Sequence, residues 1–180
     1  MEKTDHSQKT IVLVGTGGAG KTTLGELLAE GLGYEYMDSD AVVIDKEQTS
    51  IADIFVNKGE AHFRALEKEA IQGLIESNEP YLIGTGGGAF MNDETRALIK
   101  ERALSIFIKA DVEVLLGRIG DGEGRPLYEG KDVRQVLEDM IEERYPIYEE
   151  ADITVESFEE PLEETLKRLT EALYTHLQPE

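Results

Sequence analysis

The segment Gly15-Thr16-Gly17-Gly18-Ala19-Gly20-Lys21-Thr22 constrains this chain more than any other. It matches the phosphate-loop pattern G-x-x-x-x-G-K-[ST] in full. An apolar run, Ile11–Val14, precedes it, and Leu24, Leu27, Leu28 and Leu32 follow it at helical spacing. Strand, glycine turn and helix in that order form an anion cradle. Glycines let the backbone curl so that successive N–H groups face phosphate oxygens. The helix that starts near Lys21 adds the positive end of its dipole. Lys21 is expected to bridge the β- and γ-phosphates, and Thr22 to place its hydroxyl on Mg²⁺. Pattern and context together imply a nucleotide phosphate site. They do not identify a phosphoryl acceptor.

The rest of the chain repeats the strand–helix alternation. Strands are expected at 34–37, 81–83, 103–108 and 153–155. Helices are expected at 41–46, 51–56, 60–75, 93–101, 112–119, 132–143 and 161–177, and Gly31 and Gly33 mark the end of the first helix. This order predicts an α/β three-layer sandwich, a five-stranded parallel sheet with helices on both faces. Ligands in such sheets bind beyond the carboxyl ends of the strands, where every glycine cluster of this chain falls. Residues 1–180 read as a single domain. Residues 1–9 read as a flexible lead-in, and the glycine-rich stretch 120–131 as an irregular lid.

Charge narrows the partners. The chain carries 38 acidic and 18 basic residues, a net charge of −20, which repels nucleic acid and anionic membrane. There is no cysteine, so disulfides and thiolate metal sites are excluded. No apolar run approaches the roughly 20 residues of a membrane span. The polar start has no signal-peptide core, so the cytoplasm is the expected location. A protein this acidic that binds polyanions must gather its few cations at one place. Arg64, Arg118, Arg125 and Arg144 lie beside glycine, proline or aromatic residues that mark loops and element ends. An arginine fork suits a carboxylate or a phosphate, and one on a mobile loop can close over a transferring phosphate. Asp38-Ser39-Asp40 follows a strand at the same edge. One carboxylate can sit near Mg²⁺ while the other accepts a hydroxyl proton. Alternate residues of an extended segment point opposite ways, which would serve both directions. The competing reading is a helix cap at Asp40.

Six motifs in order complete the pattern: residues 15–22, Asp38-x-Asp40, Gly59-Glu60-x-x-Phe63-Arg64-x-x-Glu67, Gly86-Gly87-Gly88, Arg125-Pro126-Leu127, and Glu143-Arg144-x-Pro146-x-Tyr148. On these the chain resembles the shikimate kinases, P-loop enzymes of the nucleoside-monophosphate-kinase-like family, from about residue 11 to 156. The resemblance implies ATP as co-substrate, Mg²⁺, shikimate as the small-molecule substrate, and a monomer. It implies that Gly17, Gly18, Ala19, Gly20, Lys21, Thr22 and Thr23 hold the nucleotide phosphates. Thr22 and Asp38 would serve the metal, Asp38 through water. Asp40 would hold the acceptor hydroxyls and act as base. Arg64 and Arg144 would clamp the acceptor carboxylate, with backbone N–H groups from Gly86, Gly87 and Gly88. Phe55 and Phe63 would line the ring pocket. Lys21, Asp40 and Arg125 would be the catalytic set, with Arg125 reaching the phosphate from the lid. Arg118 would stack on adenine, whose other side would face residues 155–158. The family usually has Met or Pro where Gly17 stands, and often Leu where Tyr128 stands. A related kinase for a sugar acid or a nucleoside monophosphate, and a non-catalytic nucleotide-binding regulator, are the alternative readings. His6, His62 and His176 read as surface residues, and Glu159, Glu160, Glu163 and Glu164 as a solvated face.

Overall fold

The computed structural model of the chain describes residues 9–123, 125 and 127–178. The expected lead-in, apart from Lys9, lies outside the described residues, as do Gly124 and Pro126 of the lid. One parallel sheet contains β1 (Ile11–Val14), β2 (Glu35–Asp38), β3 (Tyr81–Gly84), β4 (Leu104–Lys109) and β5 (Ile153–Glu156). Their spatial order is β2-β3-β1-β4-β5, which puts β1 at the centre.

The central position explains why β1 is apolar throughout. Ile11 and Leu13 enter one core layer with Leu24, Leu28, Leu169 and Leu173. Val12 and Val14 enter the other with Ile71, Phe90, Ile99 and Phe107. A strand covered on both faces has no polar alternation. Truncating Leu13 to alanine in such a layer costs about 2–5 kcal/mol. Helices α1 (Lys21–Leu32), α6 (Val112–Ile119) and α8 (Leu162–Leu177) supply the first layer. Helices α4 (Glu60–Ile75) and α5 (Asp93–Arg102), with the last turns of α7 (Val133–Tyr148), supply the second. Helices α2 (Ser39–Glu47) and α3 (Ile51–Lys58) pack on α4 around Val43, Ile54 and Phe63. By contrast β5, at the sheet edge, alternates buried Ile153 and Val155 with exposed Thr154 and Glu156.

Three departures from the expected elements bear on function. The second strand lies one residue later than expected and ends on Asp38, and α2 begins at once on Ser39. Asp40 therefore sits in a helical first turn, not in an extended segment, and the two acids are not related by strand alternation. The cap is Asp38, not Asp40: its carboxylate accepts from the Asp40 N–H at 2.8 Å and the Ala41 N–H at 3.4 Å. Third, α7 continues past Glu143 to Tyr148, through Pro146. Proline costs an internal helical bond, but here tertiary packing prevails. Tyr145 and Tyr148 pack against Phe107 with ring centroids 5.0 and 5.2 Å away. That extension carries Arg144 on a rigid helix.

Candidate active site

The loops at the carboxyl edge of the sheet build one continuous site. The phosphate loop leaves β1 at Gly15, with φ 151°, and a side chain there would meet the Ile108 carbonyl at 2.8 Å. Only glycine permits that approach to β4. Lys21 folds back over its own loop and donates to the Gly15 and Thr16 carbonyls at 2.7 and 2.9 Å. Burial lowers its pKa to about 8, against the opposing pull of Asp38 and Asp40, while Arg144 also lowers it. Thr22 and Thr23 stand exposed in the first turn of α1. Gly17, Gly18, Ala19 and Gly20 complete the turn before it.

Asp38 donates nothing and accepts at one oxygen, Oδ1, from the α2 backbone. Among the described residues no group of three or more His, Cys, Asp or Glu is disposed to hold a metal. A hydroxyl and a single carboxylate, both oxygen donors, fit an ion such as Mg²⁺ that keeps its waters and leans on phosphate oxygens. Asp40 is different in character. Its Oδ1 is buried without a protein partner. Burial raises its pKa, the Asp38 charge adds to that, and Arg64 and Lys21 act against it.

The glycine triplet after β3 works as a slot for side chains from three elements. A Cβ on Gly86 would fall 3.2 Å from Asp40 Oδ2 and 3.3 Å from Glu67 Oε1. On Gly87 it would fall 2.9 Å from Arg144 Nη1, and on Gly88 2.2 Å from Arg64 Nη2. The triplet thus draws Asp40, Arg144 and Arg64 onto one backbone. Arg64 is fixed by Glu67, at 2.7 Å, and its guanidinium lies 5.1 Å from the Phe63 ring centroid. Phe63 is buried, and Phe55 stacks on it at 4.8 Å. A cavity of about 460 Å³ opens here, with Glu60, Arg64, Gly88, Met91, Asn92 and Arg144 on its walls.

Arg125, in the lid, is exposed, and its Nη1 lies 4.0 Å from where a Cβ on Gly17 would stand. The bare glycine leaves room for the lid arginine over the phosphate loop. The lid is not a free ribbon. Tyr128 is buried beside Gly122, where a side chain would meet the Tyr128 Cβ at 2.5 Å. Arg118 joins the phosphate loop to the segment after β5. It donates to the Gly18 and Ala19 carbonyls at 3.2 and 3.0 Å, and to Ser157 Oγ and the Phe158 carbonyl at 3.0 and 2.9 Å.

So the residues assigned to the site from the sequence lie at this edge or on the elements that frame it. Two contributors were quoted there without a role. Glu67 is fully buried and holds Arg64; its position three residues along the same helix face was the available signal. Tyr148 is also fully buried, and its hydroxyl donates to the Gly87 carbonyl. Among the described residues Arg118, Arg125 and Arg144 make no ion pair, nor does Arg102 at the other end of the sheet, whereas Arg64, Arg96, Arg134 and Arg168 do. In so acidic a chain, cations without acid partners at one edge mark an anion site. One part of the acidic face also differs from expectation: Glu160 is half-buried and pairs with Arg168.

Chemically, this edge can bind a polyphosphate on one side and a small carboxylate on the other, with a buried carboxylate between them. Known proteins point the same way. The family model described as shikimate kinase matches residues 17–174. A shikimate kinase of Paramagnetospirillum magneticum is 45% identical over 172 residues, covering 96% of this chain and 88% of that one. One of Caulobacter vibrioides is 46% identical over 153 residues, covering 85% and 76%. The structure of the Acinetobacter baumannii shikimate kinase in complex with shikimate superposes with a TM-score of 0.87 at 32% identity, covering 96% of this chain and 97% of that one.

Proposed function

The chain belongs to the shikimate kinase family, and on that premise we propose that it transfers the γ-phosphoryl group of ATP to the 3-hydroxyl of shikimate, giving shikimate 3-phosphate and ADP. It is an ATP-dependent kinase of a small molecule, on the route to chorismate and the aromatic amino acids. The observation that carries the site assignment is the glycine triplet, which gathers Arg64, Arg144 and Asp40 along one backbone segment beside the phosphate loop.

The division of labour follows from charge. Backbone N–H groups of residues 15–22 and the α1 N-terminus receive the phosphates. Lys21 exchanges its two loop carbonyls for phosphate oxygens. Arg64 and Arg144 take the shikimate carboxylate, and the Phe63 and Phe55 rings face its carbon ring. That leaves the hydroxyls directed at Asp40. A carboxylate with one oxygen unpartnered can accept the proton of the attacking 3-hydroxyl as the bond to phosphorus forms. Its raised proton affinity brings it closer to the operating pH, which favours a base. Arg125 stabilises charge on the transferring group from the lid, and lid closure excludes water as a competing acceptor. Thr22 and Asp38 would hold Mg²⁺, which when bound neutralises β- and γ-phosphate charge.

Residues 1–180 act as one domain, as a monomer in the cytoplasm, without nucleic acid or membrane as partner. The −20 charge, which repels nucleic acid and anionic membrane, supports the last part of that reading.

The test is a split in kinetic constants. Replacing Arg144 by alanine should raise the shikimate KM about tenfold to a hundredfold, the worth of a charge-assisted pair, and leave the ATP KM within about twofold. Equal effects on both substrates would contradict a carboxylate clamp.

A further inference from the structure

The segment 156–160, which runs from the last residue of β5 toward α8, is contacted from both sides by an arginine. On the phosphate-loop side, Arg118 binds Ser157 Oγ and the Phe158 carbonyl. On the far side is Arg168, in the second turn of α8. Its Nε and Nη2 donate to the Glu156 carbonyl at 3.2 and 3.1 Å. Its Nη1 and Nη2 grip the Glu160 carboxylate, which also accepts from Thr165 Oγ1 at 2.7 Å. Its guanidinium lies 4.9 Å from the Phe158 ring centroid. Arg168 thus touches the first and last residues of the segment and the aromatic ring at its middle. Phe158 is 43% exposed, so no core packing holds that ring.

We infer that Arg168 is a positioning residue for the nucleotide base: it fixes the 156–160 strap, and the strap fixes the plane of Arg118. The inference rests on the nucleotide-site reading, in which the family resemblance has adenine stack on Arg118. Arg118 makes four hydrogen bonds, two to the phosphate loop and two to the strap. The loop end is anchored independently of α8. At the strap end, Ser157 is buried and its N–H donates to the Lys109 carbonyl at 2.7 Å, while Glu156 and Glu160 on either side of it are gripped by Arg168. A guanidinium presents a flat face for stacking only when both ends of its fork are held. Arg168 supplies a planar fork that matches a carboxylate and a carbonyl together and stacks on an aromatic ring, which a lysine cannot reproduce. Its side chain is 35% exposed, and none of its hydrogen-bond partners is an apolar core group. The core contacts of α8 run through Leu169 and Leu173, which its removal leaves in place.

The readout separates base from phosphates. MgADP and inorganic tripolyphosphate are titrated against the full chain and against Arg168→Ala and Arg168→Lys. Arg168→Ala should weaken MgADP roughly fivefold to twentyfold, the loss of one to two good hydrogen bonds, and leave tripolyphosphate within about twofold. Arg168→Lys should fall between. In turnover, the ATP KM should rise while kcat and the shikimate KM stay put. If Arg168→Ala does not fold, Glu160→Gln should show the same base-selective loss in smaller measure. Unchanged MgADP affinity in a folded variant would overturn the inference. So would equal losses of MgADP and tripolyphosphate. Wild-type protein that binds neither probe would instead overturn the nucleotide site itself.

Discussion

At the scale of single residues, the site is governed by protons on groups that burial has made uncomfortable. Lys21 has its pKa lowered to about 8 by burial, despite Asp38 and Asp40 nearby. Phosphate binding needs the ammonium form. In the free protein that form is complete below pH 8 and is lost as the pH rises through it, while bound phosphates hold the proton on. Affinity for MgADP should therefore be flat from pH 6 to 7 and fall about tenfold by pH 9, one pH unit above the midpoint. A titration at those pH values checks it, and a flat profile through pH 9 would count against Lys21 as the phosphate ligand. Asp40 shifts the other way. Burial first, then Asp38, raises its pKa. Only the ionised form can take the hydroxyl proton, so kcat/KM should fall on the acid side at a pH above the ordinary carboxylate range of about 4. Asp40→Asn should keep MgADP binding and lose about 10²- to 10⁴-fold in kcat. Little of this was legible in the sequence. The acids could be counted, but which one caps α2 depended on a helix that begins one residue after the strand ends.

At the scale of elements, the glycine triplet is the most exacting piece. Gly88 is needed for the space its missing side chain leaves to Arg64, and its backbone is unstrained. Gly88→Ala should therefore fold, displace Arg64 from its place beside Glu67, and raise the shikimate KM about tenfold to a hundredfold, with the ATP KM unchanged. Kinetics with both substrates decide it. Normal shikimate KM would mean that Arg64 is free to bind from another position. The order of strands and helices was legible because short apolar runs alternate with stretches in which apolar residues recur at helical spacing. Bounds failed where packing overrode local rules. Pro146 reads as a stop, yet the aromatic cluster of Phe107, Tyr145 and Tyr148 keeps α7 helical and so aims Arg144 at the cleft. Glu67 had a place in a motif but no role in the sequence; the fold supplies one by burying it against Arg64.

At the scale of the whole molecule, one sheet edge collects loops from four of the five strands, together with Lys21, Arg64, Arg118, Arg125 and Arg144. The sheet order puts the phosphate loop at the centre, with the Asp40 and glycine-triplet loops to one side and the Arg118 and strap segments to the other. Under the proposed assignment, acceptor and nucleotide approach from opposite flanks of β1. The remaining surface is dominated by acids, so self-repulsion should be relieved by salt. Thermal stability should rise by a few degrees between about 10 mM and 500 mM NaCl, opposite to the trend of a protein held by surface ion pairs. The central claim is the identity of the acceptor. Coupled ADP release with MgATP, comparing shikimate with gluconate, quinate and the nucleoside monophosphates, tests it most directly. The account predicts fast turnover with shikimate and background rates with the others. Background rates with shikimate, or faster turnover with any of the others, would contradict it.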